Sequence, residues 1–114
     1  MDFSVNCDPE SGRAVIICSG RLDVNNSRQL RDILNDVVAR SCYQIVLDLS
    51  QTQYMDSSGL GAVVSRIADL RANGGDVRIA GAKNHVAGLF KLTHLDKVIK
   101  LFDNVDNATA SFTE

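Results

Sequence analysis

With 114 residues, 12 Lys+Arg against 14 Asp+Glu and a formal net charge of -2, the chain has the size of one domain. Its 45% hydrophobic content argues against disorder. The pI near 5.6, with charges of both signs interspersed, argues against a nucleic-acid binder, which would carry a basic face.

Asp2 to Cys7 alternates, with Phe3, Val5 and Cys7 on one side, as a half-buried edge strand does. Asp8-Pro9-Glu10-Ser11-Gly12 is turn chemistry: proline fixes φ and glycine permits a positive one. Ala14 to Cys18 then reads as a buried strand, and so short a connection makes the two an antiparallel hairpin. Asn25, Asn26 and Ser27 are N-cap candidates for an amphipathic helix, Ser27–Arg40, with Leu30, Ile33, Leu34, Val37 and Val38 on one stripe. Tyr43–Leu49 contains Ile45-Val46-Leu47 without a break, the pattern of a central strand covered on both faces.

A second helix is predicted over Ser57–Arg71, with a stripe of Leu60, Val63, Val64, Ile67 and Leu70. Asn73-Gly74-Gly75 stops it, since these residues tolerate the left-handed conformation past a helix end. Val77 and Ile79 mark a short strand. Asn84 caps a third helix holding Val86, Leu89 and Phe90. Val98–Phe102 is a further strand, and Asn104 caps a last short helix with Val105, Ala108 and Phe112 on one face. Alternation after the hairpin implies right-handed crossovers and an α/β fold. The expected sheet is mixed but mostly parallel, with roughly four or five strands and helices packed against it. The helices Ser27–Arg40 and Ser57–Arg71 should lie on the same side, because each apolar stripe needs the sheet to bury it. No linker, repeat or low-complexity segment interrupts the pattern, so 1–114 is expected to be a stand-alone domain.

The longest unbroken apolar run is Ala14–Cys18, far short of the ~20 residues of a spanning helix. Met1-Asp2-Phe3-Ser4 has neither the basic nor the apolar region of a signal peptide. A cytoplasmic location without membrane association is therefore expected. The three cysteines, Cys7, Cys18 and Cys42, are widely spaced and never form a Cys-x-x-Cys pair, so reduced core thiols are expected.

Catalysis finds little support. Met55-Asp56-Ser57-Ser58-Gly59 opens a helix after a strand but is not the G-x-S-x-G of a nucleophile elbow. The two histidines, His85 and His94, match no zinc spacing and read as ordinary surface or half-buried residues. Neither a GxxxxGK(S/T) nor a GxGxxG loop is present, and Gly61 inside a helix suggests close packing on the sheet. No enzyme, metal or cofactor is expected. What remains is Asp56-Ser57-Ser58-Gly59. It is a natural helix start. It is also a place where an exposed serine could carry a phosphate, favoured by free amides and the helix dipole.

Ile45-Val46-Leu47-Asp48-Leu49 followed by Tyr54-Met55-Asp56-Ser57-Ser58-Gly59-Leu60-Gly61 resembles the core motif of bacterial STAS domains, above all the stand-alone anti-sigma factor antagonists. Gly20-Arg21-Leu22-Asp23, Gly74-Gly75 and Leu89-Phe90-Lys91-Leu92-Thr93-His94-Leu95 extend the likeness to nearly the whole chain. The resemblance implies that the unphosphorylated protein binds an anti-sigma factor serine kinase of the GHKL type and so releases a sigma factor. The kinase then phosphorylates the protein and frees itself, and a PPM-type serine phosphatase reverses the mark. By motif position the phosphorylated residue is Ser57, with adjacent Ser58 the second candidate. Asp23, Asp56, Ser57, Ser58 and Gly59 are the implied partner-binding residues. Asp56 is open between a turn residue bonding its own backbone and a binding role. An alternative implied role is a STAS adaptor subunit of a lipid-transport or stress-signalling complex, without phosphorylation. A third, a nucleotide or small-ligand module, has no phosphate loop behind it.

Overall fold

A computed structural model describes residues 2–113. Strand β1 (Asp2–Asp8) turns back into β2 (Arg13–Leu22), antiparallel from Asp2 opposite Ser19 to Asp8 opposite Arg13. The turn is tied by the Gly12 amide, which donates to the Asp8 carbonyl at 2.9 Å, with Gly12 at φ +73°. There follow α1 (Ser27–Ala39), β3 (Gln44–Asp48), β4 (Thr52–Met55), α2 (Ser57–Val64), α3 (Ile67–Ala72), β5 (Asp76–Ala80), α4 (Asn84–Leu92), β6 (Leu101–Phe102) and α5 (Val105–Ala110). The strands form a six-stranded sheet in the order β1-β2-β3-β5-β6, with β4 on the far end of β2. Every pairing after the hairpin is parallel. This is the mixed, mostly parallel α/β architecture expected from the alternation of elements.

The apolar stripes bury as their spacing demands. Leu30, Leu34 and Val37 of α1 join Leu60 and Val63 of α2, Leu70 of α3, and Val86 and Phe90 of α4 in one core on one face of the sheet. Helices α1 and α2 therefore do lie on the same side. The other face has a smaller core, where Val46, Ala80 and Ala108 pack with Val105 and Phe112. The Arg78 guanidinium lies 4.1 Å from the Phe112 ring centroid and helps hold the C-terminal segment there.

Five expectations are corrected. Strand β2 runs to Leu22, not Cys18, with a register shift between Gly20 and Arg21 that β4 alone pairs across. Strand β4, which has no apolar alternation of its own, is the additional one. The helix expected over Ser57–Arg71 breaks at Ser65 and Arg66. The Ser65 hydroxyl donates to the Ala62 carbonyl at 2.7 Å, and its amide reaches the same carbonyl instead of continuing the α pattern. The strand expected over Val98–Phe102 shrinks to Leu101–Phe102. Leu95–Lys97 forms a 3-10 turn, and both the Val98 and Ile99 amides donate to the Leu95 carbonyl. Finally, only Cys18 is a free thiol: Cys7 and Cys42 are joined by a disulfide, because β1 and the turn before β3 bring together residues 35 apart in sequence. Among the described residues no helix is long and apolar enough to cross a membrane.

Candidate functional site

The site is built where β2 and β4 end side by side. Leu22 pairs with Met55, and the Asp56 amide donates to the Leu22 carbonyl at 3.2 Å, so the two strands leave the sheet locked together. Asp56 then stops β4 and starts α2. Its backbone is extended, and its carboxylate accepts the Gly59 amide at 3.0 Å, satisfying one of the orphan donors of the first turn. Gly59 is buried against the strand end, and a Cβ there would collide with the Leu22 carbonyl oxygen. Gly61, by contrast, does not face the sheet as its position suggested. A Cβ there would meet the Arg31 guanidinium of α1 at 3.1 Å.

With α2 fixed in this way, Ser57 is exposed and Ser58 is half-buried. Asp23 occupies the neighbouring turn. Its amide donates to the Asn26 side chain at 2.9 Å, and its carboxylate accepts the Asn25 amide at 3.0 Å. Asn26 thus ties the loop and is not the side-chain cap of α1. The Asp23 side chain is 18% exposed, with the Arg21 guanidinium 3.9 Å away. Asp23, Asp56, Ser57, Ser58 and Gly59 therefore lie on two adjoining turns at one corner. Asp56 and Gly59 build that corner, and Ser57 is its outward hydroxyl.

Sequence reasoning missed what surrounds it. Arg21 lies 4.1 Å over the Tyr54 ring, and Tyr54 in turn stacks on His85 with centroids 5.1 Å apart and planes 8° from parallel. The His85 Nε2 is 3.0 Å from the Met55 carbonyl, which anchors the start of α4 to the strand preceding Asp56. Val24 is 69% exposed on the same loop as Asp23. None of these residues belongs to a periodic pattern. Only the alternation of Arg21 with Leu22, and of Tyr54 with Met55, places Arg21 and Tyr54 on the outward side.

His85 is bound to a backbone carbonyl, and His94 lies exposed in the turn after α4. No group of three or more metal-ligating side chains occurs among the described residues. A cleft of about 300 Å3 beside β3 and α5 is lined by Asp48, Asp103 and Asp106, carboxylates that would repel a phosphate.

Comparisons with known proteins identify the family. The STAS domain family matches residues 6–108. An anti-sigma F factor antagonist of Paenibacillus polymyxa is 30% identical over 109 residues, 95% of this chain and 93% of the relative. A crystal structure of an anti-sigma factor antagonist from Mycobacterium paratuberculosis superposes with a TM-score of 0.85 at 24% identity, covering 99% of this chain and 96% of that one. The Bacillus cell fate determinant SpoIIAA in its phosphorylated form gives a TM-score of 0.74 at 21% identity over 96% of this chain and 98% of that one. The relatives carry the names of regulators and not of enzymes. The chain belongs to the STAS domain family and groups with its anti-sigma factor antagonists.

Proposed function

We propose that this protein, in its unphosphorylated state, binds an anti-sigma factor serine kinase of the GHKL type through the Asp23–Ser57 corner and thereby releases a sigma factor in the cytoplasm. Phosphorylation of Ser57 ends the binding, and a PPM-type serine phosphatase restores it. The observation that carries this reading is the division of labour at the start of α2. Asp56 and Gly59 are consumed by the architecture, Ser58 is turned partly inward, and the Ser57 hydroxyl is left in solvent. A phosphate there meets the positive end of α2, so the fold tolerates it. To a partner it adds about -1.5 to -2 charge beside Asp56 and Asp23, enough to dismantle a close-fitting interface by repulsion and desolvation.

The test is incubation with ATP and GHKL-type serine kinases of the same organism, followed by peptide mass spectrometry. One phosphate should appear on Ser57, with none on Ser57→Ala. Phosphate on Ser58 in the Ser57→Ala protein at the parent rate would move the switch to Ser58. No phosphate on either serine would favour the adaptor role instead.

A further inference from the structure

Cys7 lies on β1, the edge strand of the sheet, and Cys42 lies in the turn between α1 and β3. Their Cα atoms are 6.7 Å apart, and the two sulfurs are bonded. The two environments differ. Cys7 is half-buried and reachable from the edge of the sheet, whereas Cys42 is fully buried, its amide donating to the Val37 carbonyl at 2.9 Å. The third cysteine, Cys18, is sealed in the core. We propose that Cys7 and Cys42 form a reversible thiol–disulfide exchange site whose co-reactant is a low-molecular-weight thiol and its disulfide, with Cys7 as the sulfur that meets the co-reactant. In the cytoplasmic location proposed above, on which this rests, a disulfide is usually of the transient, catalytic or redox-sensing kind.

The steps balance. The Cys7 thiolate attacks one sulfur of the small disulfide, whose S–S bond breaks. One small thiolate leaves and takes up a proton, and Cys7 carries a mixed disulfide. Cys42, losing its proton, attacks the Cys7 sulfur and expels the second small thiol. Two protein thiols are thereby oxidised to one disulfide, and one small disulfide is reduced to two thiols. Reduction runs the same path backwards, with attack at Cys7 because Cys42 is out of solvent reach.

The clamp ties the edge strand to the beginning of β3, where Gln44 pairs with Arg13 near the hairpin turn. Asp23 and Ser57 lie beyond the other ends of β2 and β4. Redox state should therefore control how firmly β1 is held, and should leave the Ser57 corner unchanged. No kinase is needed to test this, so the outcome is separate from that of the switch.

The protein is equilibrated in buffers of graded glutathione to glutathione disulfide ratio, its thiols are alkylated without unfolding, and the adducts are located by mass spectrometry. The expected result is loss of alkylation at Cys7 as the ratio becomes oxidising, matched by the appearance of a Cys7–Cys42 linked peptide, while buried Cys42 and Cys18 stay unlabelled. On reduction the Tm should fall on the order of 10 °C. The amides of β1 should exchange faster, while those of α2 do not change. Cys42→Ala should trap glutathione on Cys7. Should that variant fail to fold, alkylation of the reduced parent decides the same point, with Cys7 expected to react and Cys42 not. Three free thiols in the fully oxidised buffer, glutathione found on Cys42 or Cys18, or equal Tm in both redox states would overturn the proposal.

Discussion

Asp56 is the residue at which architecture and recognition can be separated by substitution. Its carboxylate accepts the Gly59 amide at 3.0 Å and caps α2. Asparagine caps as well as aspartate, whereas alanine cannot cap at all. Asp56→Ala should therefore cost about 1 kcal/mol, within a range of about 0.5–2. Asp56→Asn keeps the cap and loses only the charge at the helix start, worth about 0.3–1 kcal/mol. A chain of 114 residues unfolds with an entropy of about 0.24 kcal/mol/K, so each kcal/mol shifts Tm by about 4 °C. Calorimetry should thus show a Tm drop of about 4 °C for alanine and a smaller one for asparagine. If Asp56 acts by positioning Ser57, titration calorimetry with the kinase should give Asp56→Asn near-parental affinity and Asp56→Ala a clear loss. Asparagine that keeps the parent Tm yet abolishes binding would refute the positioning argument and show that the partner reads the charge itself.

Three further outcomes are expected. Ser57→Asp should give the circular dichroism spectrum of the parent yet bind the kinase at least tenfold more weakly, about 1.4 kcal/mol; equal affinity would remove the charge argument. Arg21→Ala should weaken kinase binding by about tenfold, and Arg21→Lys should not restore it, since only a planar guanidinium stacks on the Tyr54 ring; full rescue by lysine, seen by titration calorimetry, would contradict this. Burial first, and the charge of Asp48 second, push the Cys18 thiol from 9.0 up to about 12. The folded state therefore holds the proton that the unfolded chain releases, and stability present below pH 9 should be lost as pH rises from 9 towards 12. Urea titrations across that range should show this loss in the parent and a flatter profile in Cys18→Ala.

The fold was legible wherever burial was periodic. Helix α1 and the buried centre of β3 follow from stripes and runs that only one secondary structure can bury. Strand β4 was not legible, because Thr52–Met55 has an exposed Gln53 and a half-buried Tyr54 and owes its conformation to pairing with the end of β2. The break at Ser65 was hidden for a similar reason, since the apolar stripe runs on through Ile67 and Leu70 while one hydroxyl diverts the backbone. At the corner, the helix start at Asp56 was readable from local capping chemistry, whereas Asp23 and the choice of Ser57 came only from the family resemblance. The Arg21–Tyr54–His85 stack was not readable, as it joins three segments that only the tertiary fold brings together. The Cys7–Cys42 pairing was invisible on the same ground.

The glycine that follows the two serines has a consequence for enzyme selectivity. An α-helix advances about 100° per residue, so exchanging the solvent-facing roles of Ser57 and Ser58 requires α2 to roll about its own axis by that angle. Gly59 forbids the roll, because it is wedged against the Leu22 carbonyl in the one orientation that has no Cβ to clash. The phase of the helix is thus set from the strand beneath it. Under the proposed switch, the scaffold itself presents Ser57 to a kinase more fully than its half-buried neighbour Ser58.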